Sequence, residues 1–167
     1  HVLLPAAAWA EKDGTVTNSE RRISRQRSFL PLPGETLSAD ARLDGARPDG
    51  ARTDWRIVCD VAARMGWAED FAYDGPAAIF REHAALSASG NGGGRDFDIG
   101  GCAALDDRAY GDLAPFQWPW CAGEQPGERR FFTDGRFYTD DGRACFVPTP
   151  VRTAAEQPDD TFPLILN

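Results

Sequence analysis

Trp9-Ala10-Glu11-Lys12-Asp13-Gly14-Thr15-Val16-Thr17-Asn18-Ser19-Glu20-Arg21-Arg22 is the densest polar stretch of the chain, and it follows closely on the apolar run His1-Val2-Leu3-Leu4. The apolar run predicts a buried strand, and Gly14 predicts a turn that allows close backbone approach. Beyond it, Arg21 to Phe29 alternates badly for a helix and runs into Pro31 and Pro33, so it reads as extended. Lys12 is the only lysine among 18 basic side chains. A compact ammonium suits a job that a planar guanidinium does badly, such as addressing one phosphate or carbonyl oxygen.

Working outward, residues 34–52 are rich in Gly, Ala, Asp and Arg and read as a surface linker. Thr53-Asp54 opens the clearest helix, with Trp55, Val58, Cys59, Ala62 and Met65 on one stripe and Gly66 placed as its terminator. A second helix starts at Pro76 and carries Ile79, Phe80, His83, Ala84 and Leu86 on its inward stripe. Residues 87–96, with Gly92-Gly93-Gly94, lack the context of a phosphate loop and read as a flexible linker. A short helix is expected near Asp106–Leu113, followed by the aromatic, proline-rich segment 115–120. Phe131-Phe132-Thr133, Arg136 to Thr139 and Ala144 to Val147 read as short strands turned by Asp134-Gly135 and Asp141-Gly142. Phe162-Pro163-Leu164-Ile165-Leu166-Asn167 reads as a terminal buried strand. Polar termini are the norm, so two apolar ends suggest a piece of something longer.

The chain has 167 residues, 42% of them hydrophobic, enough for a core of one domain or parts of two. Its net charge of −8 argues against nucleic acid or an anionic membrane surface as the main partner. No apolar stretch reaches the roughly 20 residues of a membrane span, and these residues contain no basic-then-apolar signal segment, so they give no reason to expect secretion. The cysteines, Cys59, Cys102, Cys121 and Cys145, are widely spaced and read as free thiols.

Two places could carry chemistry. Glu11, Lys12, Asp13, Glu20, Arg21 and Arg22 could bind a polar anionic ligand, or could neutralise one another as surface ion pairs. Asp54 could cap its own helix, stabilising it by about 0.5–2 kcal/mol. It could instead accept from the ring N–H and exocyclic amine of a guanine. His83 reads as a core histidine rather than a ligand. No Ser-His-Asp pattern, carboxylate pair or metal cluster stands out.

The stretch from Val2 to Arg22 resembles the V-L-P-x-x-x-W-x-E-K-x-G-T-x-T-N-x-E-R-R signature of the prokaryotic molybdopterin oxidoreductases, with Asp13 at a usual glutamate position. Similarity continues through Arg52-Thr53-Asp54-Trp55, Ile79-Phe80-Arg81-Glu82-His83, Gln117-Trp118-Pro119, Gly135-Arg136-Phe137-Tyr138 and Phe162 to Asn167. The extended form Asn18 to Arg27 looks most like the assimilatory nitrate reductases; formate dehydrogenases are the rival. A non-catalytic acidic interaction module is the reading outside the family.

The resemblance implies an α/β fragment of a multidomain enzyme, with a parallel-sheet edge, helices and a β-hairpin leading to a C-terminal barrel. Residues 1–33 would end a dinucleotide-binding domain and 34–52 would be an insertion. Residues 53–114 would be helical, 115–157 a hairpin and linker, and 158–167 the first barrel strand. The implied cofactors are bis-molybdopterin guanine dinucleotide with molybdenum, contacted by Lys12 and Asp54, and a 4Fe-4S cluster whose ligands are not in this chain. The implied activity is cytoplasmic reduction of nitrate, fed by an electron-donor protein or reductase subunit. Arg21 and Arg22 could equally clamp the fold around Glu20.

Overall fold

A computed structural model describes residues 2–31 and 50–165. The chain divides into two units, 1–131 and 132–167. The first mixes helices with a small antiparallel sheet. Its order is a 3-10 turn at Trp9–Glu11, strands β1 (Gly14–Thr17) and β2 (Arg22–Gln26), helices α1 (Asp54–Arg64) and α2 (Pro76–Ala88), a 3-10 turn at Gly100–Cys102, a short helix α3 (Asp107–Gly111), and strand β3 (Phe116–Gln117).

The polar stretch folds as a hairpin, and its turn is not at Gly14. Gly14 opens β1 and pairs with Gln26, while Thr15, Val16 and Thr17 face Arg25, Ser24 and Ile23. The reversal falls at Asn18–Arg21 because Asn18 can do there what glycine was expected to do earlier. Its side-chain oxygen accepts from the N–H groups of Glu20 and Arg22, both at 3.0 Å. Arg21 takes the left-handed conformation, φ 65°, that closes the turn.

The aromatic, proline-rich segment supplies the third strand, with Phe116 opposite Ile23 and Gln117 opposite Arg22. Ile23 and Phe116 join Phe80 and Ala84 of α2, Ile99, Cys102, Tyr110 and Leu113 in one buried cluster. Arg21 fastens this segment down. Its guanidinium donates to the Trp118 carbonyl at 2.6 Å and to the Arg129 carbonyl, and lies 3.9 Å from the Phe131 ring centroid. Arg22 pairs with Glu128. Both arginines are therefore clamps, but they grip residues 118–131 rather than the Glu20 side chain.

Both long helices form where their sequence signals place them. Gly66, at φ 95°, ends α1 in a full Schellman motif: Gly66 N–H bonds Ala63 O at 3.2 Å and Trp67 N–H bonds Ala62 O at 2.9 Å. The α1 stripe is only half used, since Cys59 and Ala62 are buried while Val58 and Met65 are exposed. In α2 the buried positions are Phe80, Ala84 and Ser87. His83 is exposed, contrary to the inward placement expected, with its ring 5.5 Å from that of Phe97. Helical phase explains it: the face that packs is set by Phe80, Ala84 and Ser87, at i, i+4 and i+7.

The 87–96 segment is organised, not a free linker. Asn91, 7% exposed, donates to the carbonyls of Ser87 and Phe97 and to Asp98, and accepts from Arg95 N–H at 2.8 Å. Asp106 caps α3 through Ala109 N–H at 2.7 Å.

Five expected strands do not form among the described residues. Residues 2–5 are exposed, and only Ala6 makes a parallel bridge, to Arg52. In the second unit the turns appear where expected, with Gly135 at φ 71° and Gly142 at φ 69°. No strand flanks them, and Phe137 N–H to Gly142 O is the bond that spans the second turn. Residues 158–165 make an Asp159-centred turn instead of a strand. The shared reason is that an apolar alternating run becomes a strand only with a partner edge and a cover; a lone hairpin is marginal in water. His1, the greater part of the 34–52 linker, and Leu166-Asn167 lie outside the described residues. Cys59, Cys102, Cys121 and Cys145 are free, as expected.

A Cβ added at Gly101 would overlap the Trp120 indole, whereas Gly14 has open space around it. Gly101→Ala is expected to cost about 1–3 kcal/mol in denaturant unfolding, and Gly14→Ala to stay within about 0.5 kcal/mol of the parent.

Candidate functional site

The first unit contains a cavity of about 800 Å³ lined by residues of the 3-10 turn and the two that follow it, by Arg25 of β2, by α3 and by the starts of α1 and α2. Lys12 and Asp54, picked out by composition and by position, meet at its side. Lys12 Nζ lies 2.5 Å from Asp54 Oδ2, although 42 residues separate them. Local bonds fix the lysine backbone: Glu11 accepts from Ala8 N–H at 2.7 Å, and the Gln26 side-chain amide donates to the carbonyls of Trp9 and Lys12. The ammonium also sits 5.8 Å from the Trp9 ring centroid. Trp9 itself is exposed, so it flanks the lysine without sealing it from water.

Asp54 does not cap its helix. Thr53 is the N-cap residue and makes no side-chain capping bond, while the aspartate turns to Lys12. The hydrogen bond from Lys12 holds the Asp54 carboxyl below its ordinary value of 3.8, against a smaller opposing effect of burial. The carboxylate side chain is 62% exposed and the lysine 25%, so solvent screens the pair and its stabilisation is small.

A second, more buried pair stands beside it. Arg25, with a side chain only 4% exposed, bonds Asp13 at 2.7 Å and the Gly14 carbonyl, and its guanidinium carbon lies 3.9 Å from the Tyr110 ring centroid. Burial pushes the Tyr110 hydroxyl up to about 12, partly offset by Arg25. Sequence reasoning included Asp13 in its polar cluster but passed over Arg25 and Tyr110. The hairpin register that sets Arg25 opposite Thr15 was the available signal. Glu20, Arg21 and Arg22 do not line this cavity. Among the described residues no group of three or more His, Cys, Asp and Glu is placed to hold a metal ion, and no helix is long and apolar enough to cross a membrane.

Comparison with known proteins adds the family context. The profile described as "Molybdopterin oxidoreductase" matches residues 1–39. Over its whole length the chain is 42% identical to a nitrate reductase of Klebsiella oxytoca, covering 17% of that protein. It is 40% identical, over 99% of its length, to a nitrate reductase of Shewanella frigidimarina, covering 16% of it. It is also 34% identical, over 99% of its length, to the alpha subunit of F420-dependent formate dehydrogenase 2 of Methanococcus maripaludis, covering 20% of it. The chain thus spans about a fifth of the length of these relatives.

Because the folded-state Asp54 carboxyl titrates lower than in the unfolded chain, the pair stabilises the fold above the ordinary carboxylate range. That contribution is lost as pH falls through the lowered value. A double-substitution cycle with Lys12→Met and Asp54→Asn is expected to give a coupling below about 1 kcal/mol at pH 7. Thermal melts should show this coupling shrinking with added salt and vanishing in acid.

Proposed function

We propose, from the premise that this chain belongs to the molybdopterin oxidoreductase family, that it serves a molybdenum-dependent reduction of nitrate to nitrite by helping to seat a molybdopterin guanine dinucleotide. Two proteins named nitrate reductase match at 42% and 40% over essentially the whole chain, against 34% for a formate dehydrogenase subunit, and this favours nitrate over formate. The breadth of the match counts against an isolated acidic interaction module. In this reading residues 1–33 close a dinucleotide-binding domain, and the chain leads from there toward a cofactor-binding barrel that starts with 158–167. An electron-donor protein or reductase subunit, a 4Fe-4S cluster and a cytoplasmic location belong to the same proposal.

The observation that carries the site assignment is the contact between Lys12 and Asp54 beside the cavity. A carboxylate matches the N1–H and 2-amino donors of guanine, which lie side by side on one edge. The base carbonyl is next along that edge. An ammonium in contact with the carboxylate is therefore placed for the carbonyl oxygen of the same base more readily than for the remote diphosphate. Molybdenum carried by the bound cofactor would supply the two-electron oxygen-atom transfer. The residues of this chain bind and orient; none is assigned to bond breaking. The pair is also exchangeable: it loses a screened ion contact when the base arrives and regains two charge-assisted hydrogen bonds.

The test is cofactor retention in the complete enzyme carrying this segment. Lys12→Ala and Asp54→Ala should each lower the molybdopterin guanine dinucleotide recovered per protein, with Asp54→Ala the more severe because it loses two acceptor contacts. Full cofactor content in both variants would refute the assignment.

A further inference from the structure

Lys12 lies just past the 3-10 turn, in extended backbone at φ −129° and ψ 150°. The turn closes on itself through Glu11 N–H to Ala8 O at 3.0 Å and Ala8 N–H to the Glu11 carboxylate at 2.7 Å. Neither bond reaches Lys12, so something else must fix its backbone. The end of β2 and the residues after it supply that. The Gln26 side-chain amide donates to Trp9 O at 2.7 Å and to Lys12 O at 3.1 Å. Phe29 and Leu30 N–H both donate to Ala10 O at 2.9 Å. Among these donors Gln26 is the one side chain, and it ties the first residue of the turn to the lysine beyond it.

The residue type is specific to the task. Both partners are carbonyls, so only the NH2 of the amide can serve, and both of its hydrogens are used. A glutamate would turn a carboxylate oxygen toward the same two carbonyls, and an asparagine is one methylene short. Successive side chains of a strand point to opposite faces. Arg25 accordingly lines the cavity, whereas its neighbour Gln26 does not. Gln26 therefore acts on the lysine backbone from outside the lining. A flexible four-carbon stem finds one carboxylate oxygen only as reliably as its Cα is placed. We infer that Gln26 is a positioning residue for cofactor binding: by bridging Trp9 O and Lys12 O it sets the place from which the ammonium reaches Asp54 and the base. The inference rests on the reading of Lys12 and Asp54 as a guanine contact and adds to it a residue that acts only through Lys12.

Gln26→Met tests it with little disturbance, because an unbranched side chain of similar length replaces the amide and removes only its donors. The measurement is the rate at which the complete enzyme loses molybdopterin guanine dinucleotide on dialysis. It is made for the parent, Gln26→Met, Lys12→Ala and the double variant, at a temperature where Lys12→Ala still holds measurable cofactor. Gln26→Met should lose cofactor roughly fivefold faster than the parent, the worth of one net hydrogen bond. The double variant should lose it no faster than Lys12→Ala alone, since Gln26 has nothing left to position. A merely structural glutamine gives a different pattern: its substitution speeds loss by the same factor whether or not Lys12 is present. That multiplicative result overturns the inference. Parent-like loss in Gln26→Met, while Lys12→Ala loses cofactor faster, also overturns it and leaves the Lys12–Asp54 reading standing. Parent-like loss in Lys12→Ala refutes that reading and this inference with it. If Gln26→Met does not give folded enzyme by circular dichroism, Gln26→Asn, which keeps the amide but cannot span both carbonyls, is read in the same way against the same outcomes.

Discussion

A buried guanidinium organises the first unit. Arg25 cannot lose its charge, so placing it where only 4% of the side chain meets solvent requires partners on several sides. Asp13 neutralises it, the Gly14 carbonyl accepts from it, and the Tyr110 ring covers one face. These partners come from the start of the hairpin, from β1 and from α3. The same contacts therefore fix how the Lys12 segment sits over the cavity and how α3 closes one side of it. Replacing Arg25 by a smaller residue would leave Asp13 charged, half-covered and alone, which is why the arrangement behaves as a unit.

Around that centre the chain ties remote segments together with arginines more often than with lysine. Arg21 grips the Trp118 and Arg129 carbonyls, Arg81 links α2 to Asp107 at 2.7 Å, and Arg52 pairs with Asp60 of α1. Arg21 does so with two of the fanned N–H groups that a guanidinium has and an ammonium lacks. Lys12 is used differently, as a point charge on a single carboxylate oxygen. The distinction between seventeen arginines and one lysine, visible in composition, thus corresponds to a distinction in geometry.

The parts of the fold that were legible are those decided locally. Helices α1 and α2 begin and end where Thr53, Gly66 and Pro76 indicate, because capping and φ restrictions act within a few residues. The turns at Gly135 and Gly142 follow from the same local chemistry. Strands were read poorly in both directions. Phe116-Gln117 is a strand because β2 offers it an edge, while Phe131 to Val147 contains equally apolar runs and forms none. Alternation records what a segment could bury; it says nothing about whether a partner is present.

By itself, the sequence determined that Lys12 and Asp54 were candidates, that two helices follow a polar, extended N-terminal region, and that the chain resembles one oxidoreductase family. It did so through residue chemistry and short-range spacing, which need no knowledge of the rest of the molecule. Only the tertiary structure decided that Lys12 and Asp54 touch, that Asp54 serves the lysine rather than its own helix, and that Asp13, Arg25 and Trp55 share a cavity. Those facts depend on contacts across 42 residues or between strands in a particular register. Their energies come from burial and desolvation, which no local pattern of residues encodes.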